Sequence, residues 1–161
     1  MADLPAINAS PLIFLTKGGF LELLHLVSPE IIVPAAVAKE IQEYGVSDVT
    51  AQAIASTSWL VVVETPPVPA IIQNWDLGAG ESAVLTWGYL HPSTEVILDD
   101  LAARRCAAAL EIPVRGTLGL VLKAKQQGTI PAARPVLEQL RLCGMYLSDR
   151  VINQALALVG E

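Results

Sequence analysis

The chain has 161 residues, the length of one ordinary domain, with 53% hydrophobic and 16% charged residues and a mean hydropathy of +0.51. Lys and Arg number 10 against 16 Asp and Glu, a net charge of −6, which disfavours broad, non-specific binding of nucleic acid but does not exclude a nuclease with an acidic metal site, and suits a basic protein partner. Apolar runs are cut by Glu, His, Lys, Pro or Gly well short of the ~20 residues that span a bilayer, so a membrane protein is excluded.

Residues 4–8 read as a short buried strand, and 10–16 and 20–26 as helices broken at Gly18-Gly19. Ile31-Ile32-Val33 is a second strand, stopped by Pro34, which suits the first turn of a helix reaching Tyr44. Ser47-Asp48 can cap a helix over 49–56. The β-branched run 59–64 is a strand ended by Pro66-Pro67, and 70–75 holds one or two helical turns. There follow a helix over 80–90, a strand over 95–98, a helix over 101–110, a strand over 112–114, and a helix over 118–127 stopped by Gly128. A helix over 131–142 is stopped at Gly144, and Ser148-Asp149 caps the last one, to about 159. Strands alternating with helices predict an α/β fold with a parallel sheet covered on both faces. No repeat, low-complexity tract or linker interrupts it, so one domain is expected over 1–161. The start Met-Ala-Asp-Leu-Pro lacks a basic region and a long apolar stretch, so no signal peptide is expected. Cys106 and Cys143 lack metal-ligand spacing and fit inert thiols in a reducing cytoplasm.

Carboxylates gather where such a sheet would bring them together. Asp99 and Asp100 close the run Glu95-Val96-Ile97-Leu98, at the strand edge where open α/β sheets hold ligands. Asp100 alone could cap the next helix, but two adjacent acids give one cap and one surplus. Their side chains alternate, so one is expected to reach the site: Asp100 first, Asp99 second. Glu81 follows Gly78-Ala79-Gly80 and shares a helix face with Val84, Leu85 and Gly88. The helix dipole favours an acid in the first turn by ~0.3–1 kcal/mol, which explains its turn but not its inward stripe. Glu40 falls ~60° from the apolar stripe of Val37, Ile41 and Tyr44, whereas Glu43 falls ~120° away and faces water. Glu40 has two readings, a cleft residue or a solvated charge beside Lys39.

Asn8 ends the first strand, as a cap for the next helix or as an amide oxygen for a hard cation. Ser10 is a competing cap or a hydroxyl lining the cleft. Thr117, after Arg115-Gly116, caps its helix or hydrogen-bonds a carboxylate or phosphate. Arg104 and Arg105 pair with the acids, bind phosphate, or form a solvated pair. His25 sits among leucines and His91 precedes Pro92; no Ser-His-Asp set, zinc spacing or phosphate-binding glycine loop is present. Convergent carboxylates repel and lose hydration, and they are stable together mainly around a divalent cation. The pattern points to metal-assisted phosphodiester chemistry.

The ordered set Asn8-Ala9-Ser10-Pro11-Leu12-Ile13, Val33-Pro34 through Glu40-Ile41, Gly78-Ala79-Gly80-Glu81, Leu98-Asp99-Asp100 with Ala103-Arg104, Gly116-Thr117-Leu118-Gly119 and Gly160-Glu161 resembles the PIN domain, the fold of VapC-type toxin ribonucleases. Within that superfamily the chain is similar to an uncharacterised prokaryotic branch. The resemblance implies a three-layer α/β/α fold around a parallel sheet of four or five strands, with a cleft of three or four acids holding Mg²⁺ or Mn²⁺. Glu40, Glu81 and Asp100 match the second, third and fourth acidic positions, with Asp99 beside the last. Asn8 stands where typical PIN nucleases have Asp, which removes a negative charge and a strong ligand. The resemblance further implies an endoribonuclease leaving 5′-phosphate and 3′-hydroxyl ends, the toxin of a toxin–antitoxin pair; in such an enzyme Arg104 or Thr117 is expected to steady the scissile phosphate and Ser10 to line the substrate cleft. A homodimer and a small basic antitoxin are its implied partners. The alternative is a non-catalytic PIN-fold interaction module with a degenerate metal site.

Overall fold

Runs that are apolar at every position, rather than alternating, demand strands covered on both faces. The computed structural model, which describes residues 3–161, has five strands: β1 (Ala6–Ile7), β2 (Ile31–Pro34), β3 (Leu60–Val63), β4 (Val96–Ile97) and β5 (Val114–Arg115); β1, β2 and β4 are buried at every position, while β3 exposes Val62 and β5 ends on Arg115. All pair in parallel, in the order β3-β2-β1-β4-β5. Ala6 pairs with Ile32 on one side and Val96 on the other, and Ile7 with Ile97. The helices α1 (Ala9–Gly18), α2 (Ala35–Gln42), α3 (Val49–Ser56), α4 (Ala70–Gln73), α5 (Ala79–Leu90), α6 (Leu101–Ala109), α7 (Thr117–Gln126), α8 (Ala133–Leu142) and α9 (Asp149–Leu158) complete a three-layer α/β/α fold. Ile7, Ile31, Val33, Val96 and Ile97 are wholly buried, in one continuous core with Leu12, Val37, Leu85 and Leu120.

Local chemistry sets the boundaries. Asp48 accepts from the N–H groups of Thr50 and Ala51 at 3.0 Å and starts α3; Ser148 accepts from Val151 N–H at 3.2 Å and starts α9. Four expectations shift. The first strand is only Ala6–Ile7. The segment expected as a helix over 20–26 is a 3-10 helix, Leu21–Leu26, because Phe20 N–H closes α1 onto Leu15 O at 2.8 Å and the next turn is tighter. Pro34 remains extended, pairing with Val63, and α2 begins after it. The last strand moves from 112–114 to Val114–Arg115 because Ile112 N–H is held by Ala107 O at 2.8 Å, in the turn that ends α6.

The order of strands decides where a ligand can sit. The chain runs from β1 through β2 to β3, then returns to place β4 on the other side of β1. Such a reversal opens a crevice beyond the C-terminal ends of the two strands that flank it. Here those ends carry Asn8 and Asp99.

Candidate active site

β1 delivers Asn8 at this edge. Its N–H donates to Ile97 O at 3.0 Å, which ties it to β4 before α1 begins. The side chain is 4% exposed and makes no capping bond, and Oδ1 is buried without a hydrogen-bond partner. An unpaired buried acceptor costs roughly 1–3 kcal/mol, so this oxygen is poised for a donor or a cation.

Gly80 creates the space in front of it. A Cβ on Gly80 would lie 3.1 Å from Glu40 Oε2 and 3.2 Å from Asn8 Oδ1. The missing methyl is a cradle between an amide oxygen and a carboxylate oxygen that arrive from β1 and α2. Glu81, in the first turn of α5, folds its carboxylate back over Gly78, where it occupies the place of any side chain there. The Glu40 carboxyl is held above its ordinary value by partial burial first, then by the negative charges of Glu81 and Glu43. Glu43, expected to face water, is exposed yet shares this field and lines the same cavity.

Across the reversal point, Asp99 is fixed by Thr117, whose N–H donates to Oδ1 at 2.8 Å and whose hydroxyl donates to Oδ2 at 2.6 Å. Thr117 is wholly buried, so of its two expected partners the structure gives it the carboxylate. Asp100 Oδ2 accepts from Ala103 N–H at 2.9 Å and caps α6. The two acids therefore divide into Asp100, which caps α6, and Asp99, which is held by the first residue of α7. Arg104 is exposed and makes no ion pair among the described residues. Its Nη1 and Asp99 Oδ1 would lie 2.6 and 3.3 Å from a Cβ on Gly116, so both groups cover that glycine.

Two cavities adjoin at Glu81. The smaller, about 380 Å³, is lined by Lys39, Glu40, Glu43, Gly80 and Glu81 among others. The larger, about 520 Å³, takes in Ser10, Glu81, Asp99, Asp100 and Arg104. The rest of its lining comes from Phe14, Leu118 and the connection from Gly144 to Leu147, residues that sequence reasoning missed. The only signal for that connection was an aromatic lodged between a helix-stopping glycine and the next helix cap. A hollow of about 400 Å³ beside α3, lined by Gln42, Gly45, Val46, Ala51, Gln52 and Ala55, holds no titratable group. Both histidines lie outside these cavities: His25 packs on Trp59 at 4.2 Å and His91 on Trp87 at 4.0 Å.

No three His, Cys, Asp or Glu side chains among the described residues cluster tightly enough to hold a metal unaided. The donors that could hold one are Asn8 Oδ1, Glu40 and Glu81, with Asp99 and Asp100 on the far side of Glu81. That set suits Mg²⁺, which keeps several of its waters and takes only one or two protein carboxylates, better than a cation that needs a full protein cage. The orphaned oxygen of Asn8 and the empty cradle over Gly80 fit such an ion.

A family model described as a PIN domain matches residues 5–161. PIN domains are a nuclease fold in general; they use divalent metal ions and often bind RNA. No curated protein and no solved structure matches the chain. No helix among the described residues is long and apolar enough to cross a membrane.

Proposed function

The chain belongs to the PIN domain family, and we propose that it is a metal-dependent endoribonuclease, the toxin of a toxin–antitoxin pair. The observation that carries this reading is the buried, partnerless oxygen of Asn8 sharing the Gly80 cradle with Glu40, beside a second acid, Glu81. Glu40, Glu81 and Asn8 would hold Mg²⁺ or Mn²⁺, and Asp100 or Asp99 would meet it or its waters from the other side. When bound, such an ion supplies charge neutralisation at a phosphate and a water of lowered pKa. The remaining work falls to the chain. Thr117 fixes both oxygens of Asp99, so this acid keeps one orientation while substrate enters. Arg104, exposed on the first turns of α6, binds a phosphate oxygen, and Ser10 offers a hydroxyl at the same wall. In-line hydrolysis would leave 5′-phosphate and 3′-hydroxyl ends. The excess of acids at the cleft suits a small basic antitoxin segment, and the apolar exposed surface suits a homodimer.

The test is incubation of the pure protein with single-stranded and structured RNA, in Mn²⁺ and in EDTA. Cleavage that needs the metal and disappears in Glu81→Gln is expected; cleavage indifferent to chelation or to Glu81→Gln refutes the assignment. A second reading, a PIN-fold interaction module without catalysis, draws on the amide at position 8 and the absence of a tight three-acid group among the described residues. Calorimetry separates the two: a folded protein that binds no Mn²⁺ at millimolar concentration favours the module.

A further inference from the structure

The connection between α8 and α9 is built to push one ring into solvent. Gly144 N–H donates to Arg141 O at 3.0 Å and Met145 N–H to Leu140 O at 3.1 Å, the paired bonds of a Schellman closure. The closure needs a left-handed residue, and Gly144 supplies it at φ 105°. Beyond the turn, Met145 is drawn inward at 8% exposure and Tyr146 is thrown outward at 91%. Beneath the turn lies Phe14, whose Cε1 would be 3.9 Å from a Cβ on Gly144. Tyr146 thus gives nothing to the core, yet it lines the same cavity as Asp99 and Arg104.

We infer that Tyr146 is a stacking platform for an unpaired nucleobase of single-stranded RNA whose phosphate lies against Arg104. The inference rests on the ribonuclease reading of this cleft and names the strand it admits. The cavity combines an exposed aromatic face with a cation, matching the flat base and anionic phosphate of one nucleotide. Net charge strengthens the case. With 16 acids against 10 bases and carboxylates in the cleft itself, cations for phosphate contacts are few. A contact that does not depend on charge adds what they lack, and stacking on a tyrosine is one. A duplex hides its bases, so the platform selects unpaired segments.

The experiment measures binding of fluorescein-labelled oligouridylates in Ca²⁺, each strand carrying one abasic ribose at a different position. Wild type is expected to lose about tenfold in affinity at one position or two adjacent ones. Tyr146→Ala should bind the intact strand about tenfold more weakly and become indifferent to the abasic site at those positions. Tyr146→Phe should behave as wild type. In Mn²⁺, Tyr146→Ala should raise KM and leave kcat near wild type. Equal abasic penalties in wild type and Tyr146→Ala overturn the inference, as does a wild type that binds no single strand. Unchanged RNA binding with altered sedimentation in Tyr146→Ala also overturns it, since the ring would then be a protein contact. Base-dependent binding without cleavage would leave this inference standing and sink the ribonuclease; cleavage with KM untouched in Tyr146→Ala would do the reverse.

Discussion

Glu161 and Glu40 are the same side chain placed in opposite surroundings. Around Glu161 the N–H groups of Ala133 and Arg134 donate to its two oxygens at 2.6 and 3.1 Å, with Lys125 Nζ at 3.7 Å. The bond from Ala133 above all holds its carboxyl below the ordinary value. These contacts close the first turn of α8 and join it to α7 and the end of the chain. Around Glu40 no hydrogen bond or ion pair forms among the described residues; burial and two neighbouring acids push its carboxyl the other way. Where this molecule uses an acid for folding, it supplies donors. On the Glu40 side of the sheet's mouth it leaves Glu40, Glu81 and the Asn8 amide oxygen without them, whereas Asp99 and Asp100 on the other side are held by N–H and hydroxyl donors, and the bare side is the one that weakens the empty fold and favours a bound cation.

The sharpest way to break that contrast is Glu81→Gln. Cleavage in Mn²⁺ should fall by at least ~100-fold, since metal-centred charge stabilisation is worth several kcal/mol. The melting temperature in EDTA should stay level or rise, because a repulsive partner of Glu40 is gone. A large drop in that temperature would show that the acid serves folding after all. Next in size is Gly80→Ala, which fills the cradle between Glu40 and Asn8. The added methyl would stand 3.1 Å from Glu40 Oε2 and 3.2 Å from Asn8 Oδ1, so both oxygens must give way by a few tenths of an ångström, and Mn²⁺ affinity by calorimetry should drop about tenfold in a protein that still melts cooperatively. Asn8→Asp should act in the opposite sense, with tighter Mn²⁺ and a lower melting temperature in EDTA, since it buries a charge where an amide stood.

The smallest effect is read in the pH dependence of metal-free stability. The folded Glu161 carboxyl lies below its unfolded value, so its contribution is present above the ordinary carboxyl range and is lost as pH falls through the depressed value. Glu161→Gln should flatten that acid limb. The folded Glu40 carboxyl lies above its unfolded value, so the folded state binds the extra proton and stability falls as pH rises through the raised value. Glu40→Gln should remove that decline. Melting curves in EDTA across the carboxyl range decide both signs.

Much of the fold could be read directly because its signals are local. The caps at Asp48 and Ser148, the stop at Gly144 and the all-apolar strands need no partner to be recognised. The strand expected at 112–114 failed because Ile112 is held by the turn from Ala107, a bond no periodicity reveals. The site followed the same division. That Asn8, Glu81 and Asp99 stand at element ends was visible in the chain. That Asn8 and Asp99 flank the reversal point depends on β4 lying beside β1, which sequence order alone does not dictate. That Asp100 could cap the next helix was visible in the chain, and alternation said only that one of the two acids would reach the site. That Thr117, 18 residues on, would take both oxygens of Asp99 was not visible. Tyr146 stayed hidden because an exposed aromatic in a short loop has no pattern until the loop is seen against the acids.

The two cavities have Glu81 in common. Glu81 therefore belongs to both walls, and Glu81→Gln alters the lining of the chamber beside Glu40 and of the chamber beside Tyr146 at once.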